Sequence, residues 1–300
     1  MITLTKRARP LAESEAAGET ERLFHEIRQT LRVTGVPLPL RRFAAYERFF
    51  PALWGAMRPN AETRAFEEAA DRLREEAVHA AAGMDRLSVL GRAQLGESQA
   101  FQAENALMLF HYLDPKLLLF ASALSNALDG APSPNGRAHG SVELLERGAP
   151  SRMPPLELVD EPVEEESVRS VFRDIKRTLG VSEIHEDYRA LALWPRYLVA
   201  GWLRLKPVVK TAGHHATCDR LRALSRDLAR SLPHPVSLSR ETLERDGEDA
   251  AAIIEEAHRL EAELPGLVLN VALLALDWQA PELARRSPFP AKPRSPEEIF

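Results

Sequence analysis

The sequence predicts an all-α protein made of two tandem helical repeats packed against each other as a single-chain pseudo-dimer. Three observations carry that expectation. Apolar residues recur at spacings of three and four almost throughout, and strand-like alternation is scarce. Residues 21–78 and 169–226 align without a gap at a constant displacement (172 − 24 = 148). Each copy standing alone would expose an apolar face, and packing the two faces together removes both from water.

The first repeat is assigned to residues 1–129. Leu23, Phe24, Ile27 and Leu31 form a helical stripe, and Val171, Phe172, Ile175 and Leu179 form its copy. A second helix is expected from Arg41 to Met57, stopping before Pro59, and a third from Asn60, a good N-cap residue, to Met84. Another should cover Gln94 to Tyr112. Pro115 then opens the apolar run Leu117-Leu118-Leu119-Phe120-Ala121, which ends at Asp129-Gly130.

Segment 130–165 breaks the rhythm. It is rich in Pro, Gly and Ser, then acidic, with helical spacing only around Val142 to Leu145, and it reads as a linker crossing the face of one repeat. Residues 166–300 form the second repeat. Arg48, Ala52, Trp54 and Pro59 recur as Arg196, Ala200, Trp202 and Pro207; Thr63 and the run Asp71 to Arg74 recur as Thr211 and Asp219 to Arg222. Leu267 to Leu276 after Pro265 matches Leu117 to Asn126 after Pro115, now displaced by 150 (265 − 115), so two residues are inserted after 226. The Pro- and Arg-rich tail from Ala280 is expected to be mobile.

Composition narrows the function. With 45% hydrophobic and 28% charged residues, the chain has a soluble globular profile. A net charge of −5 points to neither a nucleic-acid nor a membrane partner. The single Cys218 excludes an internal disulfide and any Cys-x-x-Cys motif, and suits a cytoplasmic protein. Lys6 and Arg7 are not followed by an apolar core, so no signal peptide is read. His214-His215 invites a metal, but adjacent helical residues do not face one way and no carboxylate ladder accompanies them; no metal is assigned.

Where both copies agree, scaffold is expected; where one departs, chemistry is. Asp187 stands opposite Pro39, just before a helix containing Trp194 and Tyr197, and an N-cap aspartate fits the same position. Glu67 stands opposite His215, one turn after Thr63, which recurs and fits a first-turn hydroxyl equally well. Asn126 stands opposite Leu276 at the end of a very apolar helix, where an amide needs partners or caps the end. Of the aromatic set that includes Tyr46 and Phe49, most reads as core and part as a pocket wall.

Together these residues resemble the group I, DehI-type 2-haloacid dehalogenases, over most of the chain. Asp187-Tyr188 followed by Trp194-Pro195 is similar to the segment that carries the family's catalytic aspartate. Thr63 and Glu67 match a threonine and a glutamate the family needs for activity. Tyr46 and Phe49 resemble its aromatic pocket pair, and Asn126 a pocket asparagine. The resemblance also places Glu186 and Tyr188 at the substrate. Glu186 stands where the family often has serine, and a second carboxylate there repels a carboxylate substrate unless it points away. Gly201 falls where D-only members carry a small residue, which implies a preference for D-substrates.

The resemblance implies hydrolysis of short 2-haloalkanoic acids to 2-hydroxy acids: Asp187 activates water, the water displaces halide with inversion, and no cofactor takes part. The partner is then a small carboxylate substrate, with room for a homodimer. A helical binding protein that kept this fold and lost the chemistry is the alternative.

Overall fold

The computed structural model describes residues 8–131 and 141–295. Among them the regular structure is helical, and the only β-type pairings are two isolated bridges. The helices are α1 (Gly18–Leu31), α2 (Leu38–Phe43), α3 (Phe49–Ala61), α4 (Arg64–Ala82), α5 (Leu90–Ala93), α6 (Glu97–Leu128), α7 (Glu166–Leu179), α8 (Glu186–Leu191), α9 (Pro195–Val209), α10 (Ala212–Arg230), α11 (Arg240–Arg245), α12 (Ala250–Trp278) and α13 (Pro281–Ala284). The long helices α6 and α12 run together, and α4 and α10 pack on both of them and on each other. The α6 stretch apolar enough to cross a membrane is wholly buried inside this bundle, the position of a core helix.

Several boundaries differ from expectation, each through a distant partner. The helix expected over Arg41 to Met57 is two helices, because the Glu248 carboxylate accepts the N–H groups of Arg48 and Phe49, both at 2.9 Å, and starts α3 there. α3 runs through Pro59 to Ala61. Asn60 therefore caps nothing; its amide donates to the His234 carbonyl (2.7 Å) and accepts the His234 N–H (2.9 Å). Capping of α4 falls to Thr63.

α6 is continuous across Pro115, where two helices were expected to meet. Proline donates no N–H, so the carbonyl four residues back, that of His111, loses its helical partner. The buried guanidinium of Arg74 replaces it, with Nε 3.0 Å from the His111 oxygen.

The linker and tail are likewise held. Residues 132–140 lie outside the described residues. Around Val142 to Leu145 no helix forms; Leu144 bridges Thr63 and Leu145 bridges Pro293. The tail expected to be mobile is docked as far as residue 295. His111 Nε2 bonds the Ala284 carbonyl at 2.7 Å, and the Phe289 ring meets Tyr112 edge-on at 5.5 Å. Residues 296–300 lie outside the described residues.

Candidate active site

A small cavity of about 40 Å³ lies where α2, α6, α8 and α12 meet. Leu38, Pro39 and Arg42 line it from α2, Asp114 and Leu117 from α6, residues 183–187 from the start of α8, and Leu260, Leu264 and Leu267 from α12. That volume seats a water or two, so a larger guest requires the side chains of the wall to move apart.

Asp187 sits in the first turn of α8. The N-cap is His185, so Asp187 is inside the helix, and its carboxylate folds back to accept its own N–H and that of Tyr188. It is buried, and Oδ1 has no hydrogen-bond partner. Desolvation pushes its pKa above the ordinary aspartate range, with the main-chain donors and His185 opposing. Asp114 faces it across the cavity with Oδ2 buried and unpartnered. Burial, then the nearness of Asp187 and Glu186, pushes the Asp114 carboxyl well up. Two buried carboxyls that face one small cavity do not both ionise. Asp187 holds the main-chain N–H donors, so the negative charge resides there and Asp114 keeps the proton.

Glu186 also lines the cavity. Its carboxyl accepts the Leu38 N–H at the start of α2, and burial raises its pKa to about 7. The departure from serine is therefore a group about half neutral at neutral pH. Arg42 is the cation in the wall, and it is already committed: Nε lies 3.1 Å from Glu256, and Nη2 pairs with Glu183.

The other residues singled out in the sequence lie elsewhere. Thr63 donates its hydroxyl to the Asn60 carbonyl (2.7 Å) and accepts the Phe66 N–H (3.2 Å). Thr211 makes the same pair of bonds to Val208 and His214, which marks both as helix caps. The Glu67 carboxylate lies 2.7 Å from Lys116 Nζ, in a buried group with Tyr112 and the Leu31 carbonyl. Lys116 and Asp114 are two residues apart on α6 and so point to opposite sides. Glu67 is thus separated from the cavity by the helix itself.

Tyr46 is half-buried near the acidic start of α12, where burial first, then Glu256 and Asp249, raise its hydroxyl pKa. Phe49 packs edge-on to Phe43 at 5.7 Å in the core. The Asn126 amide donates to the Arg226 carbonyl (3.1 Å) and ties α6 to α10. Tyr188 is turned from the cavity, its hydroxyl accepting from Asn270 (3.0 Å) and its ring set against Trp202. A Cβ at Gly201 would meet Leu274 at 3.5 Å, an ordinary van der Waals contact, so the packing of α9 on α12 does not demand glycine here, and Gly201 is not among the residues lining the cavity of Asp187.

Asp114 escaped the sequence analysis, although a signal existed. At the displacement of 150 its counterpart is Leu264, a charge-for-leucine exchange within an apolar run.

A protein-family profile described as "Halocarboxylic acid dehydrogenase DehI" matches residues 35–188, a span that contains α2, Asp114 and Asp187. The chain is 32% identical over 222 residues to a configuration-inverting 2-haloacid dehalogenase of Pseudomonas sp. (strain 113), covering 72% of each protein. It is 29% identical over 276 residues to an (R)-2-haloacid dehalogenase of Pseudomonas putida, covering 88% of this chain and 90% of the relative. Its fold is similar to that of a D-2-haloacid dehalogenase solved in complex with L-LA, at a TM-score of 0.82 and 26% identity, over 91% of this chain and 96% of the other. A mutant D-2-haloacid dehalogenase solved with D-2-CPA gives 0.80 at 25% identity, with the same coverage.

Proposed function

Because the chain belongs to the DehI family of 2-haloacid dehalogenases, we infer that Asp187 is the base of a hydrolysis performed in the small cavity. The enzyme hydrolyses the carbon–halide bond of 2-haloalkanoic acids to give 2-hydroxy acids, inverts the α-carbon and prefers D-substrates.

The observation that carries the role of Asp187 is its unpartnered buried Oδ1 in a cavity the size of a water. Displacement of halide by water needs a proton acceptor as attack develops. Oδ1 accepts that proton; the water oxygen forms the new C–O bond opposite the C–halogen bond, and halide leaves with the bonding pair. Desolvation makes the carboxylate a stronger base than an aspartate in bulk water. Asp114, retaining its proton, leaves the negative charge on Asp187. The Glu186 carboxyl, when neutral, donates to the substrate carboxylate instead of repelling it. The leucine side chains from α6 and α12 supply the apolar wall against a polarisable halogen.

The reading is tested by halide release from D- and L-2-chloropropionate with wild type and Asp187→Asn. Release from the D-acid by wild type, and its loss in the variant, is the expected result. Halide release by Asp187→Asn at the wild-type rate would reject Asp187 as the base.

The same cavity supports the duplicated architecture. We read the chain as two copies of one helical unit, residues 1–129 and 166–300, closed on each other about an approximate two-fold axis. α4 and α10 each span 19 residues and start 148 apart (212 − 64). The cavity wall is drawn from equivalent pairs: Leu38 with Glu186 and Pro39 with Asp187 at 148, Asp114 with Leu264 and Leu117 with Leu267 at 150. One member of each of three pairs is acidic, Glu186 and Asp187 from the second copy and Asp114 from the first, so a symmetric seam has become an asymmetric site. A homodimer, if formed, would find its apolar anchors at the exposed Phe101 and Leu193 beside Trp194.

A further inference from the structure

A second and larger cleft, of about 450 Å³, opens between the end of α7, α10 and α12. It shares His185 and Leu267 with the wall of the catalytic cavity. His185 Nε2 lies 3.3 Å from Glu263 Oε2, and this pair stands at the partition between the two spaces. As it stands the catalytic cavity seats a water beside Asp187, and a haloacid entering it must come through an adjoining space with room for it.

The cleft holds one cation whose bonding is incomplete. Arg222 lines it, and its guanidinium makes no hydrogen bond or ion pair among the described residues; Nε itself is sealed from the cleft, so the terminal N–H groups are the donors it can offer there. The contrast with the first copy is informative. Its equivalent, Arg74 (222 − 148 = 74), spends Nε on the carbonyl freed by Pro115. Pro265 in α12 is the equivalent proline, yet Arg222 makes no such bond through Nε. A guanidinium used as scaffold in one half is therefore left facing a cleft in the other.

The neighbouring groups are accounted for. Arg259 is paired with Glu255 (2.6 Å) and Glu256 (2.9 Å). His214 gives Nε2–H to the Asn270 oxygen (2.9 Å), an assignment set by the Asn270 amide donating to Tyr188, and Nδ1 meets Cys218 Sγ at 3.6 Å, so the ring is neutral. Of the acids, Glu263 is engaged by His185 and Asp219 is exposed at the rim, with His215 exposed nearby. The planar fork of an arginine matches a carboxylate.

We propose that this cleft is a carboxylate-binding antechamber, in which Arg222 holds the carboxylate of a short organic acid before the acid passes His185 to reach Asp187. The passage to Asp187 rests on the function proposed above; the carboxylate site does not. Cys218, the protein's single cysteine, lines the cleft and reports on it.

The test follows the rate at which methyl methanethiosulfonate labels Cys218 in the intact protein, with sodium propionate, with propionamide and with sodium chloride at matched ionic strength. Propionate alone should slow labelling, and Arg222→Gln should weaken that protection by about tenfold, the scale of one charge-assisted hydrogen bond. Equal labelling rates with and without propionate would overturn the carboxylate site, whether or not the enzyme turns over. Fully labelled wild type should lose about tenfold or more in kcat/KM for D-2-chloropropionate, while the reagent should leave Cys218→Ser at whatever rate that variant shows untreated. Unchanged turnover after complete labelling would overturn the route past His185. Absence of halide release from the unlabelled enzyme would reject the function and leave the carboxylate site to be judged by protection.

Discussion

Asp114 on α6 and Asp187 on α8 share one small cavity, and main-chain N–H groups serve only the second of them. This inequality sets which carboxyl holds the proton. Asp114→Asn keeps the shape and neutrality of the protonated acid. It should retain halide release within about threefold of wild type at neutral pH, because the charge it removes is absent there.

The same substitution has a signed effect on stability. The folded-state pKa of Asp114 is raised above its unfolded value, so the native protein binds the extra proton. Stability from this group is fully present below the unfolded pKa, near 4, and declines as pH rises toward the folded value. Asp114→Asn removes the decline. Thermal unfolding should therefore show a Tm advantage for the variant that grows from acid to alkaline pH; a constant difference would mean Asp114 is ionised in the native state.

Glu186 predicts the alkaline limb of activity. Burial places its pKa near 7, so its neutral form is lost above that pH and a second negative charge meets the substrate carboxylate. The kcat/KM for D-2-chloropropionate should fall about tenfold per pH unit well above that limb. Glu186→Gln should flatten it. The acid limb, set by Asp187, should lie above the ordinary aspartate range in both proteins.

How far the sequence could reveal this site depended on where each decisive partner lay. Helical periodicity and the duplicated run were local signals, and they marked out an all-helical chain. The exchange of Pro39 for Asp187 pointed into the cavity, and the exchange of Leu264 for Asp114, immediately before the matched prolines, is a signal of the same kind. What stayed hidden depends on contacts between residues distant in the chain. Glu248 ends the turn after α2 from 200 residues away, and Arg74 carries α6 through a proline that would otherwise stop it. Thr63 and Glu67 share a face one turn apart, as spacing indicated, but that face looks onto Asn60 and Lys116 rather than Asp187.

Glu67 should act on stability rather than on the reacting atoms. It neutralises Lys116, a fully buried ammonium whose nearest other partners are the Tyr112 hydroxyl and the Leu31 carbonyl. Removing one partner of a buried pair costs about 3–5 kcal/mol, whereas replacing both with apolar groups is often neutral. Glu67→Leu alone should therefore lower Tm steeply and take activity with it. Glu67→Leu with Lys116→Met should recover much of both. A well-folded double variant that released no halide would return Glu67 to the catalytic group.

Arg74 makes the last prediction, because its Nε hydrogen bond compensates for a proline in the central helix. Without the guanidinium, the His111 carbonyl would be buried with neither a helical nor a side-chain donor. An unpaired buried acceptor costs about 1–3 kcal/mol. Arg74→Leu should lose at least that, and amide exchange should quicken first around His111 to Asp114, the turn that borders the cavity. Asp114 lies in that turn, so its orientation toward Asp187 should loosen as well. Substituting Ala for Pro115 restores an N–H to the position that His111 needs. In that background Arg74→Leu should cost markedly less, and equal costs in the two backgrounds would mean that Arg74 acts through Asp71, 2.7 Å from its Nη1, instead of through the broken helical bond.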